Sequence, residues 1–261
     1  MELHYQSYSL ESLSDQAPVI IIPGLFGSTA NWRSVARKLA ESYCVTVIDQ
    51  RNHGDSPHAD SNTYIDMVND LLALCDRLGY DQVVLCGHSM GGKVAMLFSL
   101  LYPSRVKKLA VLDIAPVQYE HSHAPYLKAL MAIDLASLTS RSDAEKALQH
   151  TIQDTPTRLF LMQSLVGKAG EYRWRLNLPV LLNDMSEIAG FPSDVVDGLV
   201  LEKPTLFILG GKSGYVIESH LDVMSNYFPE ADIVTIDGAG HWLHAERPQE
   251  TVEVLMEFIK K

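Results

Sequence analysis

The amino-acid sequence predicts an α/β fold: a mostly parallel central sheet flanked by helices, with an inserted block of helices. Short apolar runs, typical of strands buried on both faces, alternate with amphipathic helical segments up to residue 114. From about residue 115 to residue 200 the helical segments continue without a convincing buried strand, and the alternation then resumes. We therefore assign residues 1–114 and 201–261 to one sheet-centred core and residues 115–200 to a helical cap inserted between two of its strands.

The first part of the core is predicted from apolar runs bounded by turn and cap signals. Pro23-Gly24 ends the first run, and Thr63 is placed to cap a long helix that continues to Leu78. Alternation of strand and helix makes neighbouring strands parallel. The predicted strands are Val19–Pro23, Val45–Asp49, Gln82–Cys86 and Leu109–Asp113, and the further predicted helices are Ser34–Ser42 and a segment that begins at Met90.

The cap and the last part of the core follow from the same periodicities. Open α/β sheets bind ligands at the carboxyl ends of their strands, so an insertion that leaves such an end would cover the site. The predicted cap helices are Ala124–Ile133, Asp143–Gln153, Thr157–Val166 and Leu178–Ile188. The core then resumes with strands Thr205–Leu209 and Asp232–Ile236, a helix Val216–Tyr227 between them, and a last helix with Pro248 in its first turn.

Composition excludes several functional classes. The chain has 261 residues, of which 47% are hydrophobic, and a formal net charge of −11, which argues against a nucleic-acid partner. Its three cysteines lie in apolar runs and are interpreted as buried packing residues rather than a disulfide framework. We find no basic-then-apolar leader and no apolar run of membrane-spanning length, so a cytoplasmic protein without a membrane span is expected.

The most informative motif is Gly87-His88-Ser89-Met90-Gly91, which follows an apolar strand and precedes a helix. G-x-S-x-G in that context is the nucleophile elbow. The turn is so tight that its flanking positions must nearly lack side chains, hence the two glycines. The turn lifts the Ser89 hydroxyl above the sheet, and the following helix directs backbone N–H groups at the same point. The sequence therefore predicts Ser89 as a nucleophile.

A nucleophilic serine needs a base within hydrogen-bonding reach, and the chain offers ten histidines. His241 is the best placed, because it lies in the glycine-rich loop Gly238-Ala239-Gly240-His241-Trp242, directly after the last predicted strand. Small neighbours let its imidazole approach another loop closely. His88 is expected to face away from the substrate, and the spacing of His244 from the strand is less suitable.

These motifs together resemble the α/β-hydrolase superfamily over nearly the whole length of the chain. The shared segments are Pro23-Gly24-Leu25-Phe26-Gly27, Asp49-Gln50-Arg51-Asn52-His53-Gly54-Asp55-Ser56, the elbow, and Gly240-His241. In these enzymes the acid that orients the histidine most often follows the strand after the cap, as G-x-x-D. This chain reads Gly210-Gly211-Lys212-Ser213 there, and a serine carries no negative charge. The resemblance therefore implies that the acid lies elsewhere.

Some members of the superfamily carry the acid at the end of the strand that follows the elbow helix. Here that strand ends in Leu112-Asp113-Ile114-Ala115-Pro116, a string that resembles the small bacterial esterases of the YbfF type. Asp113 keeps the chain order Ser…Asp…His of this fold. Asp237 is the alternative acid, although its closeness to His241 in sequence disfavours the contact. Asp113 is also open to a simpler interpretation, as the cap of the first insertion segment.

An oxyanion requires two backbone donors. One is the amide of Met90, directly after the nucleophile. The resemblance implies the second in the loop after the first buried strand, where Leu25 is the expected donor and Phe26 the alternative. This loop carries Pro23 where the family usually has a histidine, a change that removes a side chain but no backbone donor at residue 25. The matched residues Asp49, Arg51 and Ser56 are interpreted as a structural turn.

The sequence thus predicts a serine hydrolase that cleaves carboxylic ester bonds of small or acyl-chain substrates through an acyl-enzyme. Ser89, Asp113 and His241 form the predicted triad. No His, Cys or Glu cluster has metal-ligand spacing, so neither metal nor cofactor is predicted. The substrate is a small-molecule ester or thioester, and the oligomeric state is not indicated. The candidate pocket residues are Phe26, Trp32, Tyr119 and Trp242.

Three other functions use the same sequence features. An acyl-CoA thioesterase would use the same triad and gain from a cationic cap patch, for which Arg173 and Arg175 are candidates. A C–C hydrolase or lyase uses the same constellation. A non-catalytic ligand-binding protein of this fold would show a broken triad, whereas here each role has a candidate residue. Dehalogenases and epoxide hydrolases of this fold have an aspartate where this chain has Ser89.

Overall fold

The computed structural model describes residues 1–9 and 16–261, and a seven-stranded sheet lies at its centre. Its strands are β1 (Tyr5–Tyr8), β2 (Val19–Ile22), β3 (Val45–Ile48), β4 (Val83–His88), β5 (Val106–Leu112), β8 (Thr205–Gly210) and β9 (Ala231–Ile236). Two short strands, β6 (Leu165–Val166) and β7 (Arg173–Trp174), form a separate antiparallel pair. The order of the central sheet is β1-β3-β2-β4-β5-β8-β9, and only the β1–β3 pairing is antiparallel.

Helices cover both faces of this sheet. They are α1 (Arg33–Leu39), α2 (Tyr64–Leu78), α3 (Met90–Leu101), α4 (Ala124–Met131), α5 (Arg141–Gln149), α6 (Thr155–Met162), α7 (Leu178–Asn183), α8 (Met185–Ala189), α9 (Leu221–Tyr227), α10 (Leu243–Glu246) and α11 (Pro248–Lys260). Helices α2 and α3 pack with one core cluster, and α1 and α11 pack with the other. Strands β2 and β3 are buried throughout, as expected for parallel strands with helices on both sides. The predicted α/β fold with a mostly parallel sheet is confirmed.

The segment between β5 and β8 (the β5–β8 segment) contains α4–α8 and the β6–β7 pair. Its buried leucines, among them Leu127, Leu130 and Leu181, belong to the same apolar cluster as the α2–α3 face of the sheet. The segment is joined to the core by backbone as well as side chain, because Asn177 N–H donates to Asn52 C=O over 3.0 Å. It therefore lies over the carboxyl end of the sheet as part of one packed body.

Several predicted elements differ from the observed ones for physical reasons. The helix predicted over 178–188 breaks at Asp184, whose carboxylate accepts from Asn62 N–H over 2.7 Å. The helix predicted over 157–166 ends at Met162, and Leu165–Val166 instead pairs as a strand. Helix α9 begins at Leu221, after a 3-10 turn over Glu218–His220.

The cysteines and the helices bear on two further expectations. Cys75 and Cys86 are buried, and burial raises the pKa of these thiols to about 11 and about 12, which makes them poor nucleophiles. Cys44 is half-buried rather than buried. Within residues 1–9 and 16–261, no helix combines the length and the apolar character that crossing a membrane requires.

Candidate active site

Ser89 lies in the turn between β4 and α3 with a backbone conformation that is rare for a non-glycine residue, φ 52° and ψ −123°. Close backbone approaches on both sides hold this turn. A Cβ atom at Gly87 would lie 2.3 Å from the carbonyl oxygen of Gly91, and a Cβ atom at Gly91 would lie 2.2 Å from that of Ile22. Only glycine fits at either position, which is the physical reason for the motif.

Ser89, His241 and Asp113 form one continuous line of hydrogen bonds. Ser89 Oγ lies 3.0 Å from His241 Nε2, and His241 Nδ1 lies 2.7 Å from Asp113 Oδ2. A carboxylate only accepts hydrogen bonds, so Nδ1 carries the proton and Nε2 is left to accept from the serine hydroxyl. The structure thus brings together the three residues that the sequence singled out.

Asp113 is completely buried and each of its oxygens has a defined donor. Gly210 N–H donates to Oδ1 over 3.0 Å, and the Ser213 hydroxyl donates to Oδ2, the same oxygen that His241 contacts. Position 213, where the family usually has its acid, therefore supports the carboxylate instead of supplying it. The alternative acid, Asp237, is exposed.

Neighbouring strand ends explain why these groups meet. Strands β4, β5, β8 and β9 lie side by side, and the ladder continues past the strand ends. Ser89 N–H donates to Leu112 C=O over 3.0 Å, and Asp113 N–H donates to Ile208 C=O over 2.9 Å. Asp113 also adopts a positive φ of 53°, which turns it out of strand β5. Parallel strands place their carboxyl ends at one edge, so residues distant in sequence converge there.

A ring stack and a hydrogen bond hold His241 in position. The Tyr215 ring stacks on the imidazole, with ring centroids 3.6 Å apart and planes 12° from parallel. His88 Nε2 donates to the carbonyl oxygen of His241 over 2.8 Å. Burial lowers the pKa of His88 well below its usual value, so this residue stays neutral. His88 was expected to face away from the substrate, but it lies beside His241 and forms part of the cavity wall.

The two residues expected to supply oxyanion donors, Leu25 and Met90, line the same cavity as Ser89. Met90 is the first residue of α3, so its N–H has no acceptor within the helix. Leu25 lines both of the cavities that include Ser89, which are described below. The adjacent Phe26 has a positive φ of 66°. Gln50 Nε2 donates to Pro23 C=O over 2.7 Å and holds this loop. Gln50 therefore holds the loop in which Pro23 stands where the family usually has a histidine.

Asp49 also holds loops of the site in position through hydrogen bonds. Its carboxylate accepts from Thr29 N–H over 2.6 Å and from Asp55 N–H over 2.8 Å, which joins the loops after β2 and β3. His4, Asp49 and Asp55 place ligand-type atoms within 4.8 Å of one another, a cluster that the sequence spacing did not indicate. Because both Asp49 oxygens already accept backbone hydrogen bonds, this turn is explained by its structural role.

Two cavities meet at Ser89. The inner cavity has a volume of about 30 Å³ and the outer one about 220 Å³. Both are lined by Leu25, Ser89, His123 and Tyr215. The inner cavity is additionally lined by Tyr64, Met90, Lys93, Ile114, Tyr119, His121, Met185, Ile188 and Ala189. The outer cavity is additionally lined by Phe26, His88, Tyr126, Thr157, Phe160, Leu161, His241 and Trp242.

Three of the four predicted pocket residues line these cavities. Phe26 and Trp242 lie in the outer wall and Tyr119 in the inner wall. Trp32 does not, because it is 1% exposed and stacks on His244 with ring centroids 4.1 Å apart. The apolar surface of Trp32 packs against His244, three residues after His241, and not against a cavity. The prediction of Trp32 as a pocket residue is therefore corrected: it is a core residue.

Lys93, one turn into α3, is a buried charge that the sequence analysis did not single out. Its ammonium donates to the carbonyl oxygens of Val117, Ala189 and Gly190 over 2.9, 2.8 and 2.5 Å. It also lies 4.7 Å from the centroid of the Tyr119 ring. Burial lowers the pKa of Lys93 to about 7, while the three carbonyls favour its charged form. Lys93 thereby ties the elbow helix to the β5–β8 segment.

Arg173 and Arg175, the candidates for a cationic patch, lie away from the cavities at Ser89. Arg175 forms an ion pair with Asp55 over 2.8 Å, which joins the β5–β8 segment to the core. Arg173 is an exposed residue of the β6–β7 pair. Neither arginine lines the two cavities at Ser89.

The similarities to known proteins agree with this geometry. A family model described as the alpha/beta hydrolase fold matches residues 17–248. A Mus musculus protein named sn-1-specific diacylglycerol lipase ABHD11 is 38% identical over 262 residues, covering 97% of this chain and 84% of that protein. Esterase YbfF of Escherichia coli (strain K12) is 33% identical over 260 residues, covering 99% of each.

A solved structure described as a marine microorganism esterase superposes with a TM-score of 0.92 at 36% identity, and 99% of each chain is covered. The resemblance inferred from the elbow, the glycine-rich loops and the Leu-Asp-Ile-Ala-Pro string is confirmed by these matches. This chain belongs to the α/β-hydrolase fold family.

Proposed function

We propose that this protein is a serine carboxylesterase in which Ser89 is the nucleophile, His241 the general base and Asp113 the residue that orients the histidine. Its relatives are named esterase or lipase, and ester cleavage by a serine hydrolase is the chemistry of this group. The observation that carries the assignment is the unbroken hydrogen-bonded line from Ser89 through His241 to Asp113 at the floor of an apolar cavity.

In the first half-reaction the Ser89 oxygen attacks the ester carbonyl carbon, and His241 Nε2 takes the hydroxyl proton. The carbonyl oxygen becomes an oxyanion that the N–H groups of Leu25 and Met90 stabilise. Asp113 stabilises the imidazolium that has formed. When the carbon–oxygen bond to the alcohol breaks, Nε2 returns the proton to the departing oxygen, and the acyl group stays on Ser89.

Water enters in the second half-reaction. His241 takes one proton of this water, and the resulting hydroxyl attacks the acyl carbonyl through a second oxyanion at the same two amides. Collapse of this intermediate breaks the bond to Ser89, which regains its proton from Nε2. The products are one alcohol and one carboxylic acid, and the site returns to its starting protonation.

We propose further that residues 115–200 act as a cap that selects the substrate. Tyr119, His123, Phe160 and Ile188, which line the cavities at Ser89, come from this segment. The cavity walls are mostly apolar, and Arg175 is paired with Asp55. This environment favours an uncharged small-molecule ester over a CoA thioester, whose phosphates need free cations.

A fluorophosphonate probe tests the assignment of the nucleophile. The protein should be labelled once, on Ser89, and Ser89→Ala should abolish both labelling and hydrolysis of p-nitrophenyl acetate. Ser213→Ala is the matched control, because it removes the hydroxyl of a second serine near His241 and leaves Ser89 to be labelled. Retention of the label by a folded Ser89→Ala protein would show that the nucleophile lies elsewhere.

A further inference from the structure

The two cavities at Ser89 differ sevenfold in volume, about 30 Å³ for the inner and about 220 Å³ for the outer. An ester has two substituents on its reacting carbonyl group, the acyl chain and the alcohol. Each must lie on one side of Ser89 during attack. If one cavity binds the acyl chain and the other binds the alcohol, the difference in volume limits the size of one of these two groups more than that of the other.

The position of His241 makes this assignment. His241 Nε2 must protonate the alcohol oxygen as it departs, so the alcohol lies on the histidine side of Ser89. His241 and Trp242 line the outer cavity and not the inner one. Leu25 and Met90, whose amides are proposed to bind the oxyanion, line the inner cavity, so the carbonyl group lies at its entrance. The acyl chain is bonded to the same carbon on the side away from His241, and it then continues into the inner cavity.

We propose that the protein selects esters of very short acids, of acetyl size, with bulky apolar alcohols. This inference rests on the proposed function of Ser89 and His241. A cavity of about 30 Å³ holds only a small group, such as the methyl group of an acetyl chain. A longer chain must displace packed side chains, which well-packed interiors resist.

Hydrogen bonds across the inner cavity keep it small. The Tyr64 hydroxyl donates to Ile188 C=O over 2.7 Å, and Lys93 donates to Ala189 C=O over 2.8 Å, so α8 is fastened to α2 and α3. Between two further residues of the lining, the Tyr119 hydroxyl donates to Tyr215 C=O over 2.8 Å. The three donors are buried. Widening the cavity would break these hydrogen bonds, and the cost of leaving buried polar groups unpaired opposes its enlargement.

The outer cavity has the opposite character. Its aromatic side chains include Phe160 and Trp242, whose rings lie 5.3 Å apart between centroids. Both residues are half-buried, so the cavity reaches the protein surface there. Apolar surface that can be covered by a ligand favours binding of an alkyl or aryl alcohol.

A pair of isomeric esters tests the assignment directly. Hexyl acetate and ethyl hexanoate have the same atoms and nearly the same hydrophobicity, but the long chain is on the alcohol in one and on the acid in the other. We expect kcat/KM for hexyl acetate to exceed that for ethyl hexanoate at least 10-fold. Equal rates, or a preference for ethyl hexanoate, would overturn the proposal.

Two further measurements locate the cause and separate this proposal from the assignment of the nucleophile. Ile188→Ala enlarges the inner cavity and should lower the preference for hexyl acetate at least 5-fold, with Met185→Ala as the second variant if the first does not fold. Phe160→Ala, in the outer wall, is the matched control and should not improve ethyl hexanoate. An unchanged preference in both inner-cavity variants would refute the inner cavity as the acyl site.

Labelling of Ser89 and turnover of p-nitrophenyl acetate report on the proposed function independently. If both persist while hexyl acetate is not preferred, only the present inference fails.

Discussion

Replacement of Asp113 by asparagine is the most informative change, because the hydrogen bonds around this residue determine what an amide does there. Oδ1 accepts from Gly210 N–H, and Oδ2 accepts from Ser213 and from His241. The asparagine amide has one oxygen and one NH₂ group. It can therefore satisfy Gly210 or His241 with its oxygen, but not both.

The magnitude follows from the cost of each orientation. An NH₂ group against Gly210 N–H leaves a buried donor unpaired, which costs about 1–3 kcal/mol. The amide oxygen therefore faces Gly210, and the NH₂ group donates to His241 Nδ1. This moves the imidazole proton to Nε2, which then cannot accept the proton of Ser89. With the loss of the negative charge beside the imidazolium, we expect kcat to fall by about 10²–10⁴, or about 2.7–5.4 kcal/mol.

The assay is hydrolysis of p-nitrophenyl acetate, with circular dichroism to show that the variant is folded. KM should change little, because Asp113 does not line either cavity. Asp237→Asn is the control, since this exposed carboxylate should be dispensable. Addition of Ser213→Asp to the Asp113→Asn protein places a carboxyl group beside the same site and should restore part of the activity. A folded Asp113→Asn protein that retains more than about a tenth of wild-type kcat would refute this reasoning.

Two further predictions concern pH. Burial lowers the pKa of His123 to about 4 and of His244 to about 3, so both residues stay neutral above pH 5 and should add no ionisation step to the pH profile of kcat/KM between about pH 5 and pH 8. Two or more ionisation steps in that range would contradict this. For Lys93, the folded-state pKa of about 7 lies below that of the unfolded chain, so the unfolded state binds more protons between these values and the free energy of unfolding should rise from pH 7 to pH 9.5. Urea titrations should show this rise in the wild type and its loss in Lys93→Met, and an equal rise in both proteins would contradict the assignment.

Local signals in the sequence predicted the core of the fold, Ser89 and His241, whereas Asp113 was predicted from the resemblance to a known group of esterases. Buried parallel strands such as Val19–Ile22 appear as continuous apolar runs, and the elbow at Ser89 needs glycines at fixed positions. Strand β1 was missed, since Tyr5–Tyr8 is a partly exposed edge strand with no apolar run. The Leu165–Val166 strand was assigned to a helix because two residues are too few to show a period.

The supporting residues of the site carried no such signal. Tyr215, Gln50 and Lys93 act through contacts with residues far away in sequence, and the spacing of residue types contains no information about these contacts. The prediction of Trp32 as a pocket residue was wrong for a related reason. A tryptophan near a catalytic loop fits a pocket wall and a packed core equally well, and only the stacking on His244 distinguishes them.

The contact of Lys93 with the β5–β8 segment has a consequence for how the site exchanges its ligands. The Lys93 ammonium donates to the carbonyl oxygen of Val117, near the start of this segment, and to those of Ala189 and Gly190, which lie further along it. Both parts of the β5–β8 segment are thereby hydrogen-bonded to α3, the helix that begins directly after Ser89. A segment held to α3 at two places is hindered from moving away from the core as a rigid body, so we expect ligand exchange to depend on side-chain movement near Phe160 and Trp242. For the same reason, a foreign segment grafted in its place must supply three carbonyl oxygens to Lys93, or Lys93 must be replaced with it.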